Sequence, residues 1–208
     1  MSEYLIPAGE GESEYAEKRS SFLGHVRYVQ TEDEARQFIS EMKKKYYDAR
    51  HNCWCYIIKD GAVRYSDDGE PQGSAGLPML EVFKREGIVN VVCVVTRYFG
   101  GVLLGTGGLL RAYTKSAKDA LINAGISVVR RWVKAETSCG YGLFERIKTE
   151  CISAGGVISD VEYSSGVKLM MLLPENAVED YSSRVTDLTA GASKLTVMGE
   201  EYMPVRIK

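Results

Sequence analysis

The sequence predicts an α+β protein of two domains, and three observations carry the prediction. Apolar residues switch repeatedly between the alternation of strands and the three-to-four spacing of helices. Residues 128–203 run through that switch as strand, helix, strand, strand, helix, strand, a βαββαβ order of the ferredoxin-like kind. Charge divides the chain similarly: residues 1–135 carry a net +2 and residues 136–208 a net −4. We place the domains at 1–134 and 135–208.

In the first domain "SFLGHVRYV" (21–29) alternates as a strand. Thr31 followed by Glu34 is a capping box, and Ala35, Phe38, Ile39, Met42 and Tyr46 recur at helical spacing, which predicts a helix from Thr31 to about Tyr47. "NCWCYIIK" (52–59) and "AVRYS" (62–66) flank Asp60-Gly61, a hairpin signal. In the turn-rich loop "SDDGEPQGSAG" (66–76), Ser74 is the expected cap of a helix reaching Glu86, with Pro78 tolerated near its first turn. "IVNVVCVVTRYF" (88–99) is apolar on both alternating faces, as a central strand should be. A glycine-rich loop leads into a helix from about Gly107 to Ala124. Leu110, Tyr113, Ala117, Leu121 and Ala124 form its apolar face, and Gly125 ends it.

The second domain reads as strand 128–138, helix 142–154, strands 157–163 and 167–173, helix 175–189 and strand 194–203. Gly155–Gly156 and residues 164–166 supply its turns, and Leu143, Ile147 and Cys151 its helical core stripe.

Composition sets the class. The chain is 45% apolar and 26% charged, as ordinary globular proteins are. No stretch approaches the roughly 18 apolar residues of a membrane span. The acidic N-terminus lacks a signal-peptide pattern, and five cysteines without framework spacing suit reduced thiols; both predict a cytoplasmic location with no membrane partner. A net charge of −2 excludes a broad basic surface for nucleic acid and leaves room only for a local cluster in the first domain.

The glycine loop "TRYFGGVLLGTGGLLRAYTK" (96–115) meets neither nucleotide fingerprint. G-x-G-x-x-G fails because Leu110 stands in the last glycine's place, and G-x-x-x-x-G-K-[ST] fails because Thr106 replaces the lysine. A plainer anion site survives. Backbone N–H groups at the start of the following helix point outward beside glycines that allow a ligand close approach. Arg97 ends the preceding strand, Arg111, Lys115 and Lys118 share a helical face, and Tyr98 and Phe99 offer stacking surfaces. The alternative is that the glycines only let strand and helix pack closely.

Asp67, Asp68 and Glu70 in "SDDGEP" suggest Mg²⁺ ligands, although these residue types are also good turn formers. His51, Cys53 and Cys55 share one strand face, a pattern that fits a nucleophile or half a zinc site as well as a buried thiol pair.

"HNCWCY" (51–56), "RYSDDGEPQGSAGLPML" (64–80) and "VVTRYFGGVLLGTGGLLRAYTKSA" (94–117) together resemble the IMPACT (YigZ-type) family. The resemblance implies a first domain with the fold of ribosomal protein S5 domain 2 and a second like the ferredoxin-like domains of elongation factor G. It implies a role around translation, since eukaryotic members are non-enzymatic regulators that restrain a stress-response kinase acting on initiation factor 2. By position the family motif falls on His51, Asn52, Asp67, Asp68, Gly69, Glu70, Pro71 and Gly73. It continues through Arg97, Tyr98, Phe99, Gly100, Gly101, Gly105, Gly107, Gly108 and Arg111. Cys55 stands where a small residue such as alanine is usual.

The resulting expectation is a regulator without a cofactor that binds RNA or a ribosomal or translation-factor component through a first-domain anion site. That site comprises Arg97, Tyr98, Gly100, Gly101, Gly105, Thr106, Gly107, Gly108, Arg111 and Lys115. Asp67, Asp68 and Glu70 would hold the arginines by ion pairs, and His51 and Asn52 complete the motif. Two alternatives use the same chain: an Mg²⁺-dependent phosphate- or nucleotide-handling enzyme built on the same loops, and a protein–protein module with no anion site.

Overall fold

The computed structural model describes residues 3–208 of an α+β chain. It divides into two compact units, residues 3–129 with 204–208, and residues 130–203. The division falls before the 134/135 boundary drawn from the sequence, and the last five residues return to the first unit. One strand, Ile126–Cys139, carries residues of both units.

The first unit comprises β1 (Tyr4–Pro7), β2 (Gly11–Glu17), β3 (Ser20–Tyr28), α1 (Glu32–Lys45), β4 (His51–Ile57), β5 (Val63–Ser66), α2 (Gly76–Arg85), β6 (Val91–Tyr98) and α3 (Gly105–Ala124). Its main sheet has the order β2-β3-β6-β4-β5 with every pair antiparallel. The doubly apolar character of β6 has a direct cause: it is central, with helices on both faces. Val91, Cys93 and Val95 pack with α2 and α3 through Met79, Phe83, Tyr113 and Leu121. Val92 and Val94 pack with α1 through Ala35, Phe38, Ile39 and Met42. Each fully buried large apolar side chain contributes about 1.5–3 kcal/mol to such a core.

Thr31 caps α1, its Oγ1 accepting from Glu34 N–H at 3.2 Å, while Glu34 Oε2 reaches one residue past the cap and accepts from Gln30 N–H at 2.7 Å. Three sequence expectations need correction. Ser74 does not cap α2, because its hydroxyl donates to Pro71 O while Asp67 Oδ1 takes the Ala75 and Gly76 N–H groups. Helix α3 starts two residues before Gly107, and Leu109 is buried where Leu110 was expected. Strands β1 and β2 were not anticipated. In β2 (GESEYAE) the acidic residues face outward along a sheet edge, so the segment has no apolar stripe. Gly11 nevertheless lies so close to α3 that a Cβ there would sit 2.1 Å from Ala120 O.

His25 on β3 is buried, with its ring stacked on Tyr46 at 5.3 Å and Nδ1 3.3 Å from Glu12 Oε1. Burial lowers its pKa below the ordinary 6.5; Glu12 opposes this shift and Lys45 adds to it. The native state therefore holds fewer protons than the unfolded chain just below that value. This contribution to stability is complete above pH 6.5 and is lost as the pH falls through the depressed native value. Urea midpoints of wild type and His25→Phe, which keeps a ring against Tyr46, test the assignment: the variant should lose less stability between pH 7.5 and 5.5.

The second unit takes most of β7 (Ile126–Cys139), then α4 (Tyr141–Ser153), β8 (Val157–Tyr163), β9 (Val167–Pro174), α5 (Val178–Leu188) and β10 (Thr196–Arg206). Strand order β8-β9-β7-β10 with a helix in each crossover is the ferredoxin-like arrangement. Alternate residues Val167, Leu169, Met171 and Leu173 of β9 pack against Ile147, Cys151, Tyr181 and Val185 of the two helices. Among the described residues no helix is long and apolar enough to cross a membrane.

Candidate anion-binding cleft

Three chain segments of the first unit meet around a cleft of about 460 Å³: the start of β4, the 67–75 loop, and the turn from β6 into α3. Its wall includes Arg50, His51, Glu70, Arg97, Phe99 and the first residues of α3, Gly105 and Thr106.

The acidic loop is built by its own carboxylates. Asp67 takes three backbone N–H groups, from Gly73, Ala75 and Gly76, at 2.8–3.0 Å. Asp68 accepts from Asn52 N–H at 2.7 Å and pairs with Lys43 at 2.6 Å. The Asp68 carbonyl lies 2.7 Å from His51 Nδ1. A carbonyl oxygen only accepts, so Nδ1 is the donor of this bond. Asn52 is spent on the scaffold, with Oδ1 accepting from Thr96 Oγ1 at 2.7 Å.

Only Glu70 of the three acids meets an arginine. Its Oε1 accepts from Arg97 Nη1 at 2.6 Å and from the Tyr113 hydroxyl at 2.8 Å. The Arg97 and Glu70 side chains are 7% and 3% exposed. The guanidinium carbon lies 5.5 Å from the Phe22 ring centroid and 5.6 Å from that of Phe99. Arg97 is therefore a buried, neutralised cation at the cleft floor, and the expectation that Asp67 and Asp68 also hold arginines is corrected. Their oxygens face backbone N–H groups and a lysine.

The glycines divide by cause. A Cβ on Gly100 would lie 2.0 Å from the Arg19 carbonyl carbon, and Gly101 and Gly105 have φ of 84° and 71°. At Gly108 a Cβ would press on Leu104 at 3.1 Å. Gly107 has no such reason. A Cβ there would meet only Arg111 Nη1, at an ordinary 3.7 Å, although glycine inside a helix costs about 0.5–1 kcal/mol relative to alanine. Gly107 leaves exposed backbone at a helix start that has no side-chain cap and no acid in its first turn. Among the described residues, no protein acceptor takes the N–H groups of Gly105, Thr106 or Gly107.

Several expected site residues lie elsewhere. Tyr98 points to the other face of β6 from Arg97 and donates to Asp48 at 2.8 Å. Lys115 pairs with Asp119 at 2.8 Å and lies over Tyr15. Arg111 folds back over the first turn of α3 outside the cleft wall. The sequence reading missed Arg50, an exposed guanidinium with no partner among the described residues, and the apolar wall of Leu103, Leu104 and Leu109. No spacing signals Arg50. Leu103, an apolar residue between the glycines of the loop, is 82% exposed.

Among the described residues no three His, Cys, Asp or Glu side chains converge to hold a metal. Cys53 donates its thiol to Asp67 O at 3.0 Å, and burial pushes its pKa far up, which keeps the thiol protonated at neutral pH.

A glycine-loop unit followed by a ferredoxin-like unit defines a two-domain α+β protein of a particular kind. The Impact N-terminal domain matches residues 18–121, and a domain of unknown function, DUF1949, matches residues 137–192. The chain belongs to the IMPACT family. It is 37% identical over 198 residues to IMPACT family member YvyE of Bacillus subtilis (strain 168), covering 94% of this chain and 91% of that protein. It is 31% identical over 204 residues to IMPACT family member YigZ of Escherichia coli (strain K12), covering 96% and 100%. A crystal structure of a hypothetical protein aligns with a TM-score of 0.60 at 30% identity, covering 95% of this chain and 98% of the other.

Proposed function

We propose that this protein is a non-catalytic regulator around translation that takes an anionic group of its partner, an RNA or a ribosomal or translation-factor component, into the first-unit cleft. The observation that carries the reading is the run of unaccepted N–H groups at Gly105, Thr106 and Gly107 beside a glycine that neither conformation nor packing requires. The N-terminal end of α3 supplies about half a positive charge and Arg50 a full one, while Glu70 balances the charge of Arg97. The family's regulatory members support the setting.

The test is co-sedimentation with ribosomes across a salt series. Arg50→Glu should weaken binding at least about tenfold at low salt and flatten its salt dependence. Gly107→Ala should weaken it too while raising thermal stability slightly, because the added methyl blocks backbone approach yet favours the helix. Unchanged binding in both variants would remove the cleft from the interaction.

A further inference from the structure

The geometry points to an α-carboxylate carrying an apolar side chain, an apolar amino-acid unit, as the anion the cleft is built for. This rests on the anion-site reading above and names its ligand chemistry.

Three features of the wall select this ligand over a phosphate. First, the charge is small. Glu70 balances the charge of Arg97 at 2.6 Å, so Arg50 is the wall guanidinium that has no counter-ion among the described residues. One cation and a helix end match a monoanion; a phosphate dianion would stay undercompensated, with a carboxylate beside it.

Second, Glu70 keeps an acceptor open. Its Oε1 takes both Arg97 and Tyr113, while Oε2 accepts nothing from the described residues, on a side chain that is 97% buried in the cleft wall. A carboxylate in the wall of an open cleft can accept a hydrogen bond from a ligand's donor. A phosphodiester has no hydrogen to offer, whereas an amino-acid unit places an N–H one carbon from its carboxylate.

Third, the rest of the wall is apolar. Pro71, Phe99, Leu103, Leu104 and Leu109 line it, and Leu103 stands in solvent with nothing covering it. Burying an aliphatic side chain there would shield surface that is now wet. Carboxylate on the α3 amides and Arg50, N–H on Glu70 Oε2, and side chain on the leucines use each feature once. A volume of about 460 Å³ leaves room for one such unit.

The unit can be a free amino acid or the last residue of a polypeptide; the chemistry is shared, and the nitrogen distinguishes them. The experiment is ligand-observed NMR and calorimetric titration of the full chain with L-leucine, N-acetyl-L-leucine, L-leucinamide and inorganic phosphate. Leucine or N-acetyl-leucine should bind, leucinamide at least about tenfold more weakly for want of the carboxylate, and Gly107→Ala should abolish the signal without loss of thermal stability. Binding of leucine alone assigns a free amino acid; equal or tighter binding of N-acetyl-leucine assigns a chain end. Phosphate binding with neither carboxylate overturns this inference and leaves the anion site standing. Absence of binding by all four overturns both.

Discussion

Arg97→Met should destabilise the first unit by about 3–5 kcal/mol, because removing one partner of a buried pair strands the other charge. The Glu70 side chain, 3% exposed, would retain only the Tyr113 hydroxyl. Against the 5–15 kcal/mol of a typical domain, that is a large fraction of the total. The loss would appear as a lower urea midpoint. Arg97→Met combined with Glu70→Gln should recover much of it, since no charge then remains inside. If the single variant matched wild type, the pair would not be desolvated as described. For the same reason Arg97 is a poor probe of ligand binding: its removal changes the fold of the cleft before it changes its charge.

Gly100→Ala is the second large effect, expected at about 1–3 kcal/mol or more. The new methyl would lie 2.0 Å from the Arg19 carbonyl carbon and 2.1 Å from its oxygen. Both are backbone atoms at the β2–β3 turn, where Lys18 and Arg19 already hold positive φ, so neither can swing aside as a side chain would. The Gly100 N–H bond to Ser20 Oγ (3.2 Å) would break, and residues 99–104 would move off the cleft. Gly107→Ala, seven residues on, makes the control. One alanine should lower the melting temperature and the other leave it equal or higher, and both should impair ligand uptake.

Much of the architecture was legible because local signals agreed with tertiary need. In the second unit each strand and helix has its own periodicity and Gly155 its turn, so the element order could be read directly. Strand β2 was illegible because an edge strand with acidic outward residues has no local pattern to show. Leu109 and Leu110 both fit helical spacing with Tyr113, and only packing against the sheet chooses between them. The cleft divides likewise. The glycine loop and the α3 start are local features, visible in sequence. The pairing of Arg97 with Glu70 joins residues 27 apart, and Arg50 reaches the wall only because β4 begins there. Sequence could name the charged residues but not say which charge was already cancelled.

The five cysteines are all buried and unpaired. Burial raises the thiols of Cys53, Cys55 and Cys139, and Cys151 to about 11, so thiolate is scarce at neutral pH. Maleimide and iodoacetamide dyes should therefore pass over the folded wild-type chain. A single cysteine engineered on the surface, at Leu103 for instance, would take a fluorophore alone, giving an optical reporter of cleft occupancy without first stripping the native thiols.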